Sequence, residues 1–224
     1  MFAVPFAFMG MCVKLTEIRT QQRERGRLNI YLDGEYAFSV QAILAARLTI
    51  GQELSPADVD ALKAADAVEQ AYERALTYLD YRPRSANEMR RYLAKRMVTP
   101  QVIEQVISRL ERSGLIDDGQ FAAFWVENRE AFRPRGAWAL RAELREKGVP
   151  EDAIESALCE LDERASAMRA AEPAARRYAR QERQEFVRHM LAFLQRRGFS
   201  YSVARQVTEH FWEQAEGARD SRGE

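Results

Sequence analysis

The sequence predicts a mainly α-helical protein: a tandem array of three three-helix repeats, elongated and curved, behind a small antiparallel β-hairpin or sheet segment. Three observations predict it. Leu93, Leu144 and Leu194 recur at spacings of 51 and 50 residues, and in the same register Arg96, Lys147 and Arg197 align, as do Val98, Val149 and Phe199. The turn Tyr81-Arg82-Pro83-Arg84-Ser85 returns 51 residues later as Phe132-Arg133-Pro134-Arg135-Gly136. Ahead of the repeats, alternating runs flank the pair Asp33-Gly34. A fixed period with apolar positions in register is the mark of stacked units, none of which buries its apolar face alone.

In chain order, the apolar start Met1 to Met11 is too short to span a bilayer and lacks a basic leader. It reads as a disordered extension over 1–13, with Met11 as the natural beginning. Residues 14–54 form the β-rich segment, because alternation about an Asp-Gly turn is a hairpin signal that needs positive φ at both central positions. Ala42 to Leu48 reads as a short helix ended by Gly51. Repeat 1, residues 55–114, opens with Ser55 as cap and Pro56 at the first helical position. Val59, Leu62, Val68, Tyr72, Leu76 and Leu79 then mark one long helix, or two broken near Ala64-Ala65. Ser85 and Glu88 read as a capping box, and Thr99-Pro100 starts a helix stopped by Gly114.

Repeat 2, residues 115–165, begins with Asp117 and Asp118 capping a helix bearing Phe121, Phe124, Trp125 and Phe132; it stops at Gly148 and restarts at Pro150. Repeat 3, residues 166–216, is weaker: Pro173 to Tyr178, Phe186 to Arg197, then Ser200 capping a helix to Trp212. Residues 217–224 read as a flexible tail.

Formal net charge is zero, yet it is sorted along the chain. Residues 52–73 carry a local net of −5, and residues 176–205 a local net of +6. Such segregation suits a polyanion or an acidic protein as partner. Cys12 and Cys159 stand alone, which fits a reducing cytoplasm rather than a disulfide framework or a zinc site. Nucleotide-binding, hydrolase and zinc-protease motifs are missing, and His189 and His210 have no partner at ligand spacing. The expectation is therefore no enzyme, no cofactor and no metal.

The basic positions are more informative. Arg82 and Arg84, then Arg133 and Arg135, flank a proline before a helix N-terminus, where guanidiniums and exposed N–H groups together suit phosphate or carboxylate. Arg90, Arg91, Lys95 and Arg96 follow in repeat 1, Arg141, Arg145 and Lys147 in repeat 2, and Arg188, Arg196 and Arg197 in repeat 3. At equivalent positions of stacked repeats they form a stripe. Tyr78, Tyr81, Tyr92, Phe132 and Trp138 are suited to base stacking, although helix-spaced aromatics more often belong to a core.

Tyr81-Arg82-Pro83-Arg84-Ser85 with Glu88 and Leu93, then Leu115-Ile116-Asp117-Asp118 with Phe121-Ala122, Trp125 and Arg129, resembles the RecX family of recombinase regulators. Gly136, Leu140, Glu143-Leu144, Lys147-Gly148-Val149 and Leu194-Gln195-Arg196-Arg197-Gly198-Phe199 extend the resemblance, as does the strand-rich Leu28 to Phe38. It departs most in repeat 3, where Arg183-Gln184-Glu185 stands in place of the Arg-Pro-Arg turn. The resemblance implies a cytoplasmic modulator, usually an inhibitor, of the RecA recombinase, lying along the groove of the RecA filament on single-stranded DNA. Arg129 joins the basic stripe on that ground, and DNA contact is either direct or through the filament. The runner-up is a helix-turn-helix DNA-binding regulator, disfavoured because Glu151, Asp152, Glu155, Glu160, Asp162 and Glu163 crowd its second candidate recognition helix. A protein adaptor without nucleic acid is the third reading. No unexplained apolar stripe asks for a partner, so a monomer with no membrane contact is expected.

Overall fold

The computed structural model describes residues 12–21 and 26–220; most of the 1–13 extension and the last four residues of the expected tail lie outside them. Two compact units make up the chain: residues up to Arg82 with Tyr92–Arg109, and Pro83–Arg91 with Leu110–Glu224.

The first unit is built on a sheet of four antiparallel strands in the order β3-β2-β1-β4: β1 Val13–Thr20, β2 Arg27–Leu32, β3 Glu35–Gln41 and the two-residue β4 Glu53–Leu54. The β2–β3 turn has Asp33 at φ 49° and Gly34 at φ 85°, the left-handed pair the sequence calls for. The short helix α1 Ala42–Ala45 and the 24-residue α2 Pro56–Leu79 cover one face. Leu15, Ile30, Leu32 and Val40 from the strands pack with Leu44, Leu54 and Val59. α2 is continuous through Ala64-Ala65, which decides between the two expectations. Its start follows from Ser55, whose hydroxyl accepts from Asp58 N at 3.2 Å while the Asp58 carboxylate accepts from Ser55 N at 2.9 Å.

Asp66 corrects the charge reading. Counted among the acids of 52–73, it is buried on α2 and accepts from Arg27 at 2.9 Å, from Gln41 N at 2.8 Å and from Gln70 at 2.6 Å. The partners lie up to 39 residues away, so sequence proximity does not show them.

The repeats supply α3 Ala86–Ala94, α4 Pro100–Arg112, α5 Asp118–Phe132, α6 Ala137–Glu146, α7 Glu151–Leu158, α8 Glu163–Tyr178, α9 Arg183–Arg196 and α10 Tyr201–Asp220. In the second unit, Phe121, Leu140, Leu144, Ile154 and Leu158 form one core and Phe186, Met190, Leu194, Phe199 and Val207 another. Burying each such side chain contributes about 1.5–3 kcal/mol.

Repeat 3 departs from its expected outline. α8 starts at Glu163, not Pro173, because the Asp162 carboxylate accepts from Ala165 N at 2.9 Å; the proline sits inside the helix. α9 begins at Arg183, a turn before Phe186. α10 continues to Asp220, into the expected tail. No helix among the described residues is long and apolar enough to cross a membrane.

Candidate functional site

The recurring turns of the second unit are joints. At the first, the end of α6 meets the start of α3: the Ser85 hydroxyl donates to Lys147 O at 2.7 Å and accepts from Glu88 N at 3.1 Å. Lys147 Nζ lies 2.8 Å from the Glu88 carboxylate. Arg91 donates to Glu146 O at 3.3 Å, and Gly148, at φ 74°, sits so close that a Cβ there would lie 2.2 Å from the Asn87 side chain. At the second, the end of α9 meets the start of α6. Gly136 N donates to Arg197 O at 3.0 Å, and Arg197 donates to Pro134 O at 3.2 Å. A Cβ on Gly198, φ 84°, would lie 2.3 Å from that of Ala139. The third member of this register is Met97, which holds φ 61° and is 90% exposed. Glycine stands where a neighbouring segment closes in, the Asn87 side chain on Gly148 and Ala139 on Gly198; the Met97 side chain stands in solvent.

The first joint contains an acid of unusual sign. Asp118 accepts from Ala86 N at 2.9 Å. Burial raises its carboxyl above the ordinary aspartate range and nearby Asp117 adds to this, against the Ala86 N–H and Arg90. Asp117, held by Gln120 N, is shifted down instead. A raised carboxyl contributes stability that is complete below about pH 4 and is lost as pH rises through its folded value. Asp118→Asn keeps an acceptor for Ala86 N and removes the buried charge. Denaturation at pH 7 is expected to find it no less stable than wild type, with a stability profile that rises more steeply above about pH 4 once this opposing group is gone.

The second joint gathers cations. Burial lowers the Arg197 pKa, and Arg133 and Arg135 nearby lower it further, so three guanidiniums share one neighbourhood. Arg135 and Arg129 both reach Glu143, each at 2.8 Å, and that one carboxylate also accepts from Trp125 Nε1 at 2.7 Å. Arg133 is exposed and makes no ion pair among the described residues. Two of these four arginines share the one carboxylate, while Arg133 and Arg197 lie with Arg135. Beside them Phe132 is 82% and Trp138 72% exposed, on each side of the Arg133-Pro134-Arg135 turn. Exposed aromatics beside guanidiniums are of the chemical type that suits base stacking and phosphate contact.

Other expected positions have different surroundings. Arg141 and Arg145 hold the α7 carboxylates Glu155 and Glu151, at 2.8 and 2.6 Å. Arg84 and Arg90 are half-buried in the second unit, where Arg188 and Arg196 are exposed. In the first unit Arg82 is half-buried, Lys95 is exposed, and Arg96 lies 3.7 Å over the Tyr92 ring, itself stacked on Tyr78 at 3.8 Å. Tyr78 and Tyr92 thus cover each other, while Tyr81, at the same turn position as Phe132, is 80% exposed. His189 meets Gln181 at 2.9 Å and His210 meets Gln214 at 3.0 Å. Glu143, which gathers the second joint, escaped the sequence reading as a charge-bearing centre; its place one turn from Leu140 and beside Leu144, under the aromatic face of α5, was the available signal.

Fold and joints together define a tandem three-helix repeat protein with a basic, aromatic-flanked seam. Sequence profiles of the first, second and third three-helix domains of RecX match residues 71–110, 117–158 and 162–208, and that of the regulatory protein RecX N-terminal domain matches 13–55. The chain is 34% identical to the regulatory protein RecX of Bacillus subtilis (strain 168), over 84% of this chain and 74% of that one. It is 32% identical to that of Lactobacillus johnsonii, over 87% and 73%. A crystal structure of regulatory protein RecX superposes with a TM-score of 0.75 at 32% identity, covering 88% of this chain and 99% of that one. The chain belongs to the RecX family of regulatory proteins.

Proposed function

We propose that this protein modulates, in the inhibitory direction, a RecA-type recombinase in the cytoplasm by binding along its filament on single-stranded DNA. The observation that carries the reading is the second joint: Arg129 and Arg135 on one carboxylate, Arg133 and Arg197 clustered with Arg135, and Phe132 and Trp138 in solvent beside them. A nucleoprotein filament offers both chemistries such a surface meets, regularly spaced phosphates and accessible base faces. Guanidiniums replace counterions at the phosphates, and the rings add stacking that is indifferent to base identity. A regulator seated in this way obstructs strand exchange by occupying the groove; it needs no catalytic group and no cofactor of its own.

The test uses residues that do not hold the joint together. Arg133→Glu combined with Phe132→Ala and Trp138→Ala is expected to leave the melting temperature within about 2 °C of wild type, since all three side chains are exposed. Stacking contributes about 1–3 kcal/mol per base, so inhibition of recombinase ATPase and strand exchange should require at least about tenfold more variant than wild type. Inhibition at wild-type concentrations by a folded variant refutes the assignment of the joint.

A further inference from the structure

α8 carries opposite charge at its two ends. Beside its N-terminus, α5 and α7 enclose a groove of about 560 Å³ with Val126, Ala157 and Leu161 on its floor. Glu127, Glu130, Glu160 and Asp162 edge it, and no basic residue lines it. Asp162 is occupied in capping α8, and Glu130 accepts from Ser166 and Arg169. Glu127 and Glu160 form no ion pair among the described residues.

At the other end of α8, the turn into α9 presents Arg176, Arg177, Arg180 and Arg183, all exposed, around Tyr178 and Ala179. Glu182 is the one acid between Arg176 and Arg183. Arg176 pairs with Glu172, and Arg183 with Glu209 at 3.2 Å; Arg177 and Arg180 form no ion pair among the described residues. Basic tip and acidic groove are thus complementary in sign, and each leaves two charges unmatched.

They cannot satisfy each other within one molecule. The 16 residues of α8 hold them apart by about 24 Å at the helical rise, well beyond the screening length of about 10 Å at 0.1 M salt. We infer that copies of this chain associate head to tail, the α8–α9 tip of one seated in the α5–α7 groove of the next. Donor and acceptor faces differ, so the contact is heterologous and each added copy renews a free face at both ends, which permits a run of copies rather than a closed pair. With only a small apolar floor beneath the ion pairs, the association is weak and salt-sensitive. It is suppressed in dilute protein, consistent with the monomer expected from apolar patterning, and promoted wherever chains are concentrated on a common track. This inference does not depend on the identity of that track.

Sedimentation of the full chain at concentrations up to several hundred micromolar tests it. At about 50 mM salt the weight-average mass should climb with concentration past twice the chain mass of 25.8 kDa, and at about 500 mM salt it should return to that value. Glu127→Lys with Glu160→Lys removes the acceptor, and Arg177→Glu with Arg180→Glu removes the donor; circular dichroism establishes that both are folded. Each folded variant alone should stay at the chain mass. An equimolar mixture should regain growth beyond pairs, because the wild-type tip meets the wild-type groove and the reversed tip meets the reversed groove, each pair opposite in sign. Wild type that stays at the chain mass in low salt overturns the proposal, as does self-association retained by either variant. A wild-type monomer whose groove instead takes up an oligo-arginine peptide, with uptake lost in the Glu127→Lys, Glu160→Lys variant, also overturns it and assigns the groove to a foreign cationic chain.

Discussion

Gly198→Ala is expected to destabilise the second unit by about 2–5 kcal/mol. Part of this is the left-handed backbone at φ 84°, which disfavours any side chain by about 1–2 kcal/mol. The rest is overpacking: the new methyl lies 2.3 Å from Ala139 Cβ and 2.6 Å from Ala139 N, and relieving such a clash costs about 1–3 kcal/mol. Because Gly136 N and Arg197 O bond across the same seam at 3.0 Å, moving α9 away from α6 also loosens that hydrogen bond. Trp125, Trp138 and Trp212 all belong to the second unit, so denaturant unfolding followed by tryptophan fluorescence reads this loss directly. A melting temperature lower by about 5–15 °C is the matching thermal result. Met97→Gly is the control. Its position in the register is the same, but with the side chain in solvent the change should stay within about 1 kcal/mol. Equal effects at the two positions contradict the joint.

Asp66→Ala should destabilise the first unit by about 3–5 kcal/mol, the range for removing one partner of a buried ion pair. Arg27, itself largely buried, loses its carboxylate at 2.9 Å, and Gln41 N and the Gln70 amide lose their acceptor in the same step. Asp66→Asn retains one carbonyl oxygen and turns an NH2 group toward the remaining donors, so it should fall between alanine and wild type. The first unit has no tryptophan. Far-ultraviolet circular dichroism against denaturant is therefore the suitable probe, and an alanine variant within 1 kcal/mol of wild type refutes the network.

These two sites differ in how well the sequence reveals them. The joints were legible as a repeat because Leu93, Leu144 and Leu194 hold their spacing, and glycine at two of three aligned positions already hints at close approach. Nothing local shows what approaches: the Asn87 and Ala139 contacts span about sixty residues. Asp66 was illegible for the same reason; on composition it is one more surface acid of α2, and burial follows from Arg27 on a strand far upstream. Proline misled at α8, where Pro173 reads as a helix start, although the Asp162 cap at the true start was present in the sequence. Aromatic spacing misled differently. Tyr78 and Tyr92 cover one another, whereas Phe132 and Trp138 lie on the outward side of α5 and α6, because Phe121, Leu140 and Leu144 already fill the core between those helices. The stripe of basic residues also divides: Arg141 and Arg145 serve α7, and Arg133 beside Arg197 remains available.

Whether the second joint seats on a recombinase filament is decided by the affinity of the purified chain for such filaments on single-stranded DNA, measured across a salt series. The logarithm of affinity should fall steeply and linearly with the logarithm of salt, and the Arg133→Glu variant should bind more weakly with a slope shallower by about one. An affinity indifferent to salt, or a variant that retraces the wild-type line, would contradict that seating.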